Sequence, residues 1–264
     1  MSHTIVLIGA GNVAHHLAKA ISKTSHKIVQ VYSRTLSAAR DLSVFCNCLY
    51  TCHYEQIDAN AEVYIFSLTD DANLRLIPQF IYHNKIMIHT SGSMNPDIFK
   101  SLSPHYGVLY PLQSLKKSID IDMNNLPFLV EASNKQTLSL ITGLVDQIGA
   151  NWSEADTEQR TWAHISAVFA CNFSNHMLAV AADIAMQNHI PWEMMKPLIE
   201  NTFNRSLKNN PADMQTGPAF RNEKSVMEKH SNFLKTRFIG YEDLYKTISN
   251  SIFEMYYKNK QEDA

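Results

Sequence analysis

The sequence is poor in several things that would have decided its class. Four cysteines in 264 residues are too few for a disulfide scaffold, which points to a reducing, cytoplasmic setting. There is no run of Lys or Arg, and 23 basic against 25 acidic residues leave a formal charge of −2. Neither nucleic acid nor an anionic membrane surface is therefore expected as a partner. The longest apolar stretch, about Ile165 to Phe173, falls far short of the roughly 20 residues of a membrane-spanning helix. A strand-like run, Ile5-Val6-Leu7-Ile8, begins almost at once, so no secretory signal is expected. Internal repeats and low-complexity tracts are absent as well. What remains is 45% apolar and 18% charged, an ordinary globular balance sized for one large or two medium domains.

The first half alternates short β-branched runs with amphipathic stretches. Ile5–Ile8, Ile28–Tyr32, Val63–Leu68, Ile86–His89 and Phe128–Glu131 read as strands; Asn12–Ser22, Leu36–Phe45, Asp71–Tyr82 and Lys135–Ile148 read as helices. That alternation implies an α/β domain with a mainly parallel sheet covered on both faces. From Ser153 onward only helical patterns are found. Ser153-x-x-Asp156 resembles a capping box, opening a pattern that runs to about Asn188. Helices over Trp192–Leu207, Glu223–Lys235 and Tyr241–Lys258 follow, with a loop at Asn209 to Asn222. The expected organisation is a Rossmann-type dinucleotide-binding domain over residues 1–153 and an all-helical domain over 154–264.

Only eight glycines occur, which makes their placement informative. Gly9-Ala10-Gly11-Asn12-Val13-Ala14 fits G-x-G-x-x-A directly after the first strand. Gly9 permits the tight turn, Gly11 lets backbone N–H groups approach a pyrophosphate, and Ala14 lets the helix pack closely on the sheet. An NAD enzyme usually places an acid about 20 residues past the glycines to bind the ribose 2′-hydroxyl. Here Ser33-Arg34-Thr35 stands there instead. A guanidinium fork between two hydroxyls suits a 2′-phosphate, so NADP is expected as cofactor. Leu68 and Thr69 after one strand, and Ser91 and Gly92 after another, should border the cofactor at the carboxyl ends of the sheet. The Ser91 hydroxyl either binds a substrate oxygen beside the nicotinamide or serves as turn chemistry.

GAGNVA, the YSRT segment, SLTDD and HTSGS together resemble the dinucleotide domain of the 6-phosphogluconate dehydrogenase-like reductases. That group includes pyrroline-5-carboxylate reductase and the F420-dependent NADP oxidoreductases. Gly107 to Gln113 is similar to the loop that follows the cofactor site in prephenate dehydrogenases. The helical half resembles Rossmann-like proteins with a DUF2520 domain, through His164–His176 (HISAVFACNFSNH), Lys196–Glu200 and Gln215–Ala219 with Arg221. The resemblance implies the two-domain fold, NADP chemistry and assembly through the helical half, as a homodimer.

In one respect the sequence departs from the related β-hydroxyacid dehydrogenases. These carry a Lys acid/base and an Asn one turn apart on the first long helix of the second domain, whereas no Lys lies between Gln136 and Gln187 here. His164, Asn172 and His176 occupy that helix, at about 0°, 80° and 120° around a regular one. A histidine there can supply a proton during carbonyl or imine reduction; equally, these polar residues can be hydrogen-bonded core or interface groups. In the 209–222 loop, Gln215, Thr216 and Arg221 are candidates for binding a substrate carboxylate or phosphate, with a subunit-contact loop as the alternative. Cys46, Cys48, Cys52 and His53 lack C-x-x-C zinc knuckles, so buried apolar cysteines and no metal are expected. An apolar stripe, Phe169, Phe173, Met177, Val180 and Ile184, suggests pairing with a second copy.

The expected activity is hydride transfer between NADP(H) and a small polar carbonyl or imine substrate held between the two domains. The alternative is a non-catalytic NADP-binding sensor or scaffold.

Overall fold

In the computed structural model, residues 2–238 and 240–258 are described, the last two by their backbone alone. Five strands lie in parallel register through β1 (Thr4–Ile8): β3 (Leu49–Thr51), β2 (Lys27–Tyr32), β1, β4 (Val63–Phe66) and β5 (Ile86–His89). β6 (Tyr106–Pro111) continues parallel to β5, β7 (Pro127–Ala132) pairs antiparallel with β6, and β8 (Asn151–Glu154) closes the far edge parallel to β7. The order β3-β2-β1-β4-β5-β6-β7-β8 contains the doubly wound arrangement, whose strand order reverses beside β1.

Both faces of the sheet are covered, which is why β1 and β4 read as unbroken apolar runs. On one face α1 (Asn12–Ile21) and α4 (Lys135–Ile148) press Leu17, Ile21, Ile141 and Val145 onto Ile5, Leu7 and Ile65. On the other, Val6, Ile8, Tyr64 and Phe66 meet Phe80 and Phe99. α2 (Leu36–Cys46) follows β2, and α3 (Asp70–Leu76) follows β4, giving way to a 3₁₀ turn where Pro78 enters.

Three strands were not expected. β3 is only three residues long. β6 occupies the segment likened to a loop; Gly107 hides the strand pattern, yet glycine is needed there, because a Cβ would stand 2.3 Å from the Glu131 carbonyl oxygen. β8 is exposed throughout, a polar edge strand with no apolar alternation to reveal it, and it extends the sheet past Ser153. The expected capping box is also displaced by three residues. Asp156 is the cap of α5 (Thr157–Ala167): its carboxylate accepts from the Gln159 N–H at 2.8 Å, and its own N–H donates to Gln159 Oε1 at 3.0 Å.

α5 passes without a break through a π-helical segment, Val168–Phe173, into α6 (Ser174–Gln187). By length and composition alone, Thr157–Gln187 is long and apolar enough to cross a membrane, contrary to the impression left by the short run at 165–173.

By compactness the chain divides into Met1–Ser174 and Asn175–Ala264, so α5 belongs with the sheet. The second unit contains α6, α7 (Lys196–Lys208), α8 (Lys224–Arg237) and α9 (Tyr241–Phe253). Met177, Val180 and Ile184, part of the stripe expected to pair with a second copy, line an apolar cavity of about 270 Å³ within this unit, together with Leu234, Leu244 and Ile248. Phe169 and Phe173 are exposed.

Candidate active site

The carboxyl ends of β1, β2, β4, β5 and β6 bring together most of the residues singled out from the sequence. Gly9 ends β1 at φ +118°, a conformation L side chains avoid, and its missing Cβ would lie 2.3 Å from the Ser67 carbonyl oxygen. The fold therefore demands glycine at this position. Gly11 is different. Its φ of −82° suits any residue, and a Cβ there would meet nothing within 4 Å. What glycine provides at 11 is open access to the start of α1.

That helix start is built for an anion. No side chain caps it and its first turn holds no acid, so the first N–H groups of Asn12, Val13 and Ala14 lack a helical acceptor. Asn12, a natural cap residue, is used elsewhere: its Oδ1 accepts from the Lys117 N–H at 3.1 Å, while His16 Nε2 donates to the Lys116 carbonyl at 3.2 Å. The two bonds hold the 116–117 segment beside the helix. Buried Ala14 allows the close packing on the sheet.

Beyond β2, the Ser33 hydroxyl accepts from the Thr35 N–H at 3.3 Å, which shapes the turn that carries exposed Arg34. Arg34 lines a cleft of about 260 Å³ with Tyr32, Tyr54, Leu68, Ala72 and Arg75. Among the described residues no carboxylate pairs with either arginine. Two unneutralised guanidinium groups beside aromatic rings suit a phosphorylated, planar ligand. Arg75 and Tyr54 were not anticipated from the sequence: Arg75 comes from the far end of α3, and Tyr54 follows the unforeseen strand β3. Thr69 starts α3 without capping it through its side chain.

The turn after β5 is tightly organised. Ser91 Oγ accepts from the N–H groups of Ser93 and Met94 at 3.2 and 3.1 Å, so it does act as turn chemistry. Ser93 Oγ donates to Asp70 Oδ2 at 2.8 Å, tying this turn to α3. The Ser91 N–H donates to His89 Nδ1 at 3.1 Å, leaving the ring proton on Nε2, which is buried and has no partner. Burial, with the nearby Arg160 charge, pushes the His89 pKa down to about 3, so the ring is neutral.

Arg160, fully buried, reaches this turn from α5. It donates to the Met94 carbonyl at 2.7 Å and forms an ion pair with Glu131 of β7. The same helix carries His164, whose Nδ1 lies 2.8 Å from the Tyr110 hydroxyl at the end of β6. Gly92 fits beneath the pair: a Cβ there would be 3.0 Å from both His164 Cγ and Tyr110 Cζ. Burial is the main cause of the raised Tyr110 pKa, with Arg160 pulling it down.

Asn172 is exposed in the π segment, where the wider winding changes the angles counted on a regular helix. His176 is exposed and belongs to the second unit, as do Gln215, Thr216 and Arg221. Gln215 Nε2 donates to the Thr216 carbonyl at 2.8 Å, Thr216 borders the apolar cavity, and the Arg221 fork is filled by Glu223 at 2.9 and 3.0 Å. Cys46, Cys48 and Cys52 are free and only partly buried, Cys171 is exposed, and no metal-holding cluster occurs among the described residues.

Residues 126–252 match the family DUF2520, a domain of unknown function; the match begins within the sheet. The chain is 38% identical to a "putative NADP oxidoreductase" from Bacteroides fragilis, with a TM-score of 0.89 over 96% of this chain and 98% of that one. An imine reductase from Myxococcus stipitatus in complex with NADP+ shares the fold at 12% identity, TM-score 0.68, over 98% and 94% of the two chains. A 1-pyrroline-5-carboxylate reductase from Streptococcus pyogenes does so at 12% identity, TM-score 0.61, over 96% and 97%. No curated protein gives a significant match.

Proposed function

Because the chain belongs to the family of the Bacteroides fragilis protein and carries a DUF2520 match over residues 126–252, we propose that it is an NADP(H)-dependent oxidoreductase acting on a carbonyl or imine carbon of a small polar metabolite. The observation that carries this reading is the uncapped start of α1 behind Gly11, with Arg34 and Arg75 free on the neighbouring cleft.

In this reading Gly9, Gly11 and the N–H groups of Asn12, Val13 and Ala14 hold the pyrophosphate. Ser33, Arg34 and Thr35 take the 2′-phosphate, with Arg75 across the cleft. Leu68 and Thr69 flank the cofactor, and Ser91 and Gly92 border its nicotinamide end. The bound cofactor supplies or accepts a hydride. The chain's own contribution is to orient the reactants, exclude water and place a proton. His164 is the histidine brought to the sheet's carboxyl edge. Gln215 and Thr216 are assigned to substrate, whereas Arg221 serves only when its pair with Glu223 opens. Two relatives by fold are named for C=N substrates, which makes imines the first class to try. The exposed Trp162, Ile165, Phe169 and Phe173 fit a homodimer built on this helix, in a reducing cytoplasmic setting.

Thermal-shift measurements test the cofactor assignment. NADPH should raise the unfolding temperature by several degrees more than NADH at equal concentration; equal shifts would count against the Arg34 assignment, and no shift with either would remove the reading.

A further inference from the structure

We propose that Tyr110 is the proton donor of this site and that His164 is the residue that positions it and returns its proton. The inference rests on the oxidoreductase reading above. Tyr110 is the penultimate residue of β6 and stands at the same carboxyl edge as Gly9, Ser67 and Ser91. Its ring meets His164 edge-on, with centroids 5.9 Å apart at 78°. Gly92 brings backbone, with no side chain, against both rings. The pair is thus pressed onto the turn assigned to the nicotinamide end.

The geometry divides the roles. His164 Nδ1 is taken by the phenol oxygen at 2.8 Å. When Nδ1 carries the proton and donates it to Tyr110 Oη, the phenol O–H is directed away from the imidazole and is free to donate to a substrate. Burial keeps the phenol protonated near neutrality, while the Arg160 charge favours the phenolate formed after donation. Arg160 also holds the Met94 end of the turn.

For an imine the balance is simple. The carbon gains the hydride that reduced nicotinamide supplies, and the π electron pair of C=N moves to nitrogen. Nitrogen takes the Tyr110 proton and becomes an amine. The phenolate recovers a proton from His164 Nδ1 as Nε2 takes one from water, so the imidazole stays neutral in its other tautomer and resets by exchange with solvent. A carbonyl follows the same course and leaves as an alcohol.

The test uses the full chain with NADPH and a set of small cyclic imines and 2-oxo acids, beginning with 2-methyl-1-pyrroline, followed at 340 nm. Tyr110→Phe should lower kcat about 100-fold while the NADPH Kd stays within about twofold. His164→Ala should lower kcat about tenfold with KM little changed. His164→Asn, whose amide can replace the Nδ1–H hydrogen bond but cannot return a proton, should recover only part of that loss. In ¹³C spectra of Cε1-labelled histidine, Tyr110→Phe should move one resonance, that of His164, whether or not a substrate is present. Retention of kcat within threefold in Tyr110→Phe would overturn the assignment. So would wild-type protein that binds NADPH yet reduces no probe, an outcome that leaves the cofactor reading standing. Failure to bind NADPH at all would instead remove the reading beneath it.

Discussion

The two units bury their chains very differently. In Met1–Ser174 the sheet is closed on both faces, and Val6, Leu7, Ile8, Tyr64, Ile65 and Phe66 have essentially no exposed surface. In Asn175–Ala264 the only described residues that reach full burial are Ala185, Ala219, Ser231 and Phe238, while Met186, Leu198, Phe203, Leu207 and Phe233 remain exposed. The first unit satisfies its own core and can hold a site to fixed geometry. The second has helices whose apolar residues exceed what the unit itself covers, as expected of an element that completes its core against another surface.

Breaking the sheet unit at the ion pair between fully buried Arg160 and partly exposed Glu131 should give the largest effect. Arg160→Met leaves Glu131 unpaired and the Met94 carbonyl without its donor. A cost of about 3 kcal/mol follows from losing one partner of a buried pair, or roughly 10 °C in Tm for a chain of this size. Calorimetric scanning measures it; a change of a degree or two would show that Arg160 carries little.

A matched pair of truncations sharpens the contrast. Ile65→Ala, in the closed core, should cost about 2.5 kcal/mol, and Ile184→Ala, on the open cavity of the second unit, less than about 1. Equal costs in denaturant unfolding would mean that the second unit is as well packed as the first.

His89 gives a smaller effect, dependent on pH. Its folded pKa, about 3, lies below the ordinary value of 6.5. The stability it contributes is therefore complete above pH 6.5 and is lost as pH falls toward 3. Between pH 7 and 5 that amounts to about 2 kcal/mol. A His89→Asn variant should show a correspondingly flatter stability profile; an unchanged slope would assign the acid sensitivity to other groups.

The difference between the units also decides what could be read from the sequence. β1, α1, β2, β5 and the GAGNVA turn were legible because each carries its pattern within a dozen residues. β8 was not, since a polar edge strand owes its pairing to β7 and not to its own side chains. Arg160 gave no signal because its meaning depends on Glu131 and Met94, 29 and 66 residues away. The Tyr110–His164 pair spans 54 residues, so only His164 was singled out, and without its partner. Asn172 was placed by an angular count that the π segment interrupts.

The most direct test of the whole account is calorimetric titration of ligand-free protein with each nicotinamide coenzyme. The account predicts a Kd for NADPH at least about tenfold below that for NADH, a gap worth about 1.4 kcal/mol, which Arg34→Gln should largely close. Equal affinities, or no heat of binding from either coenzyme, would contradict it.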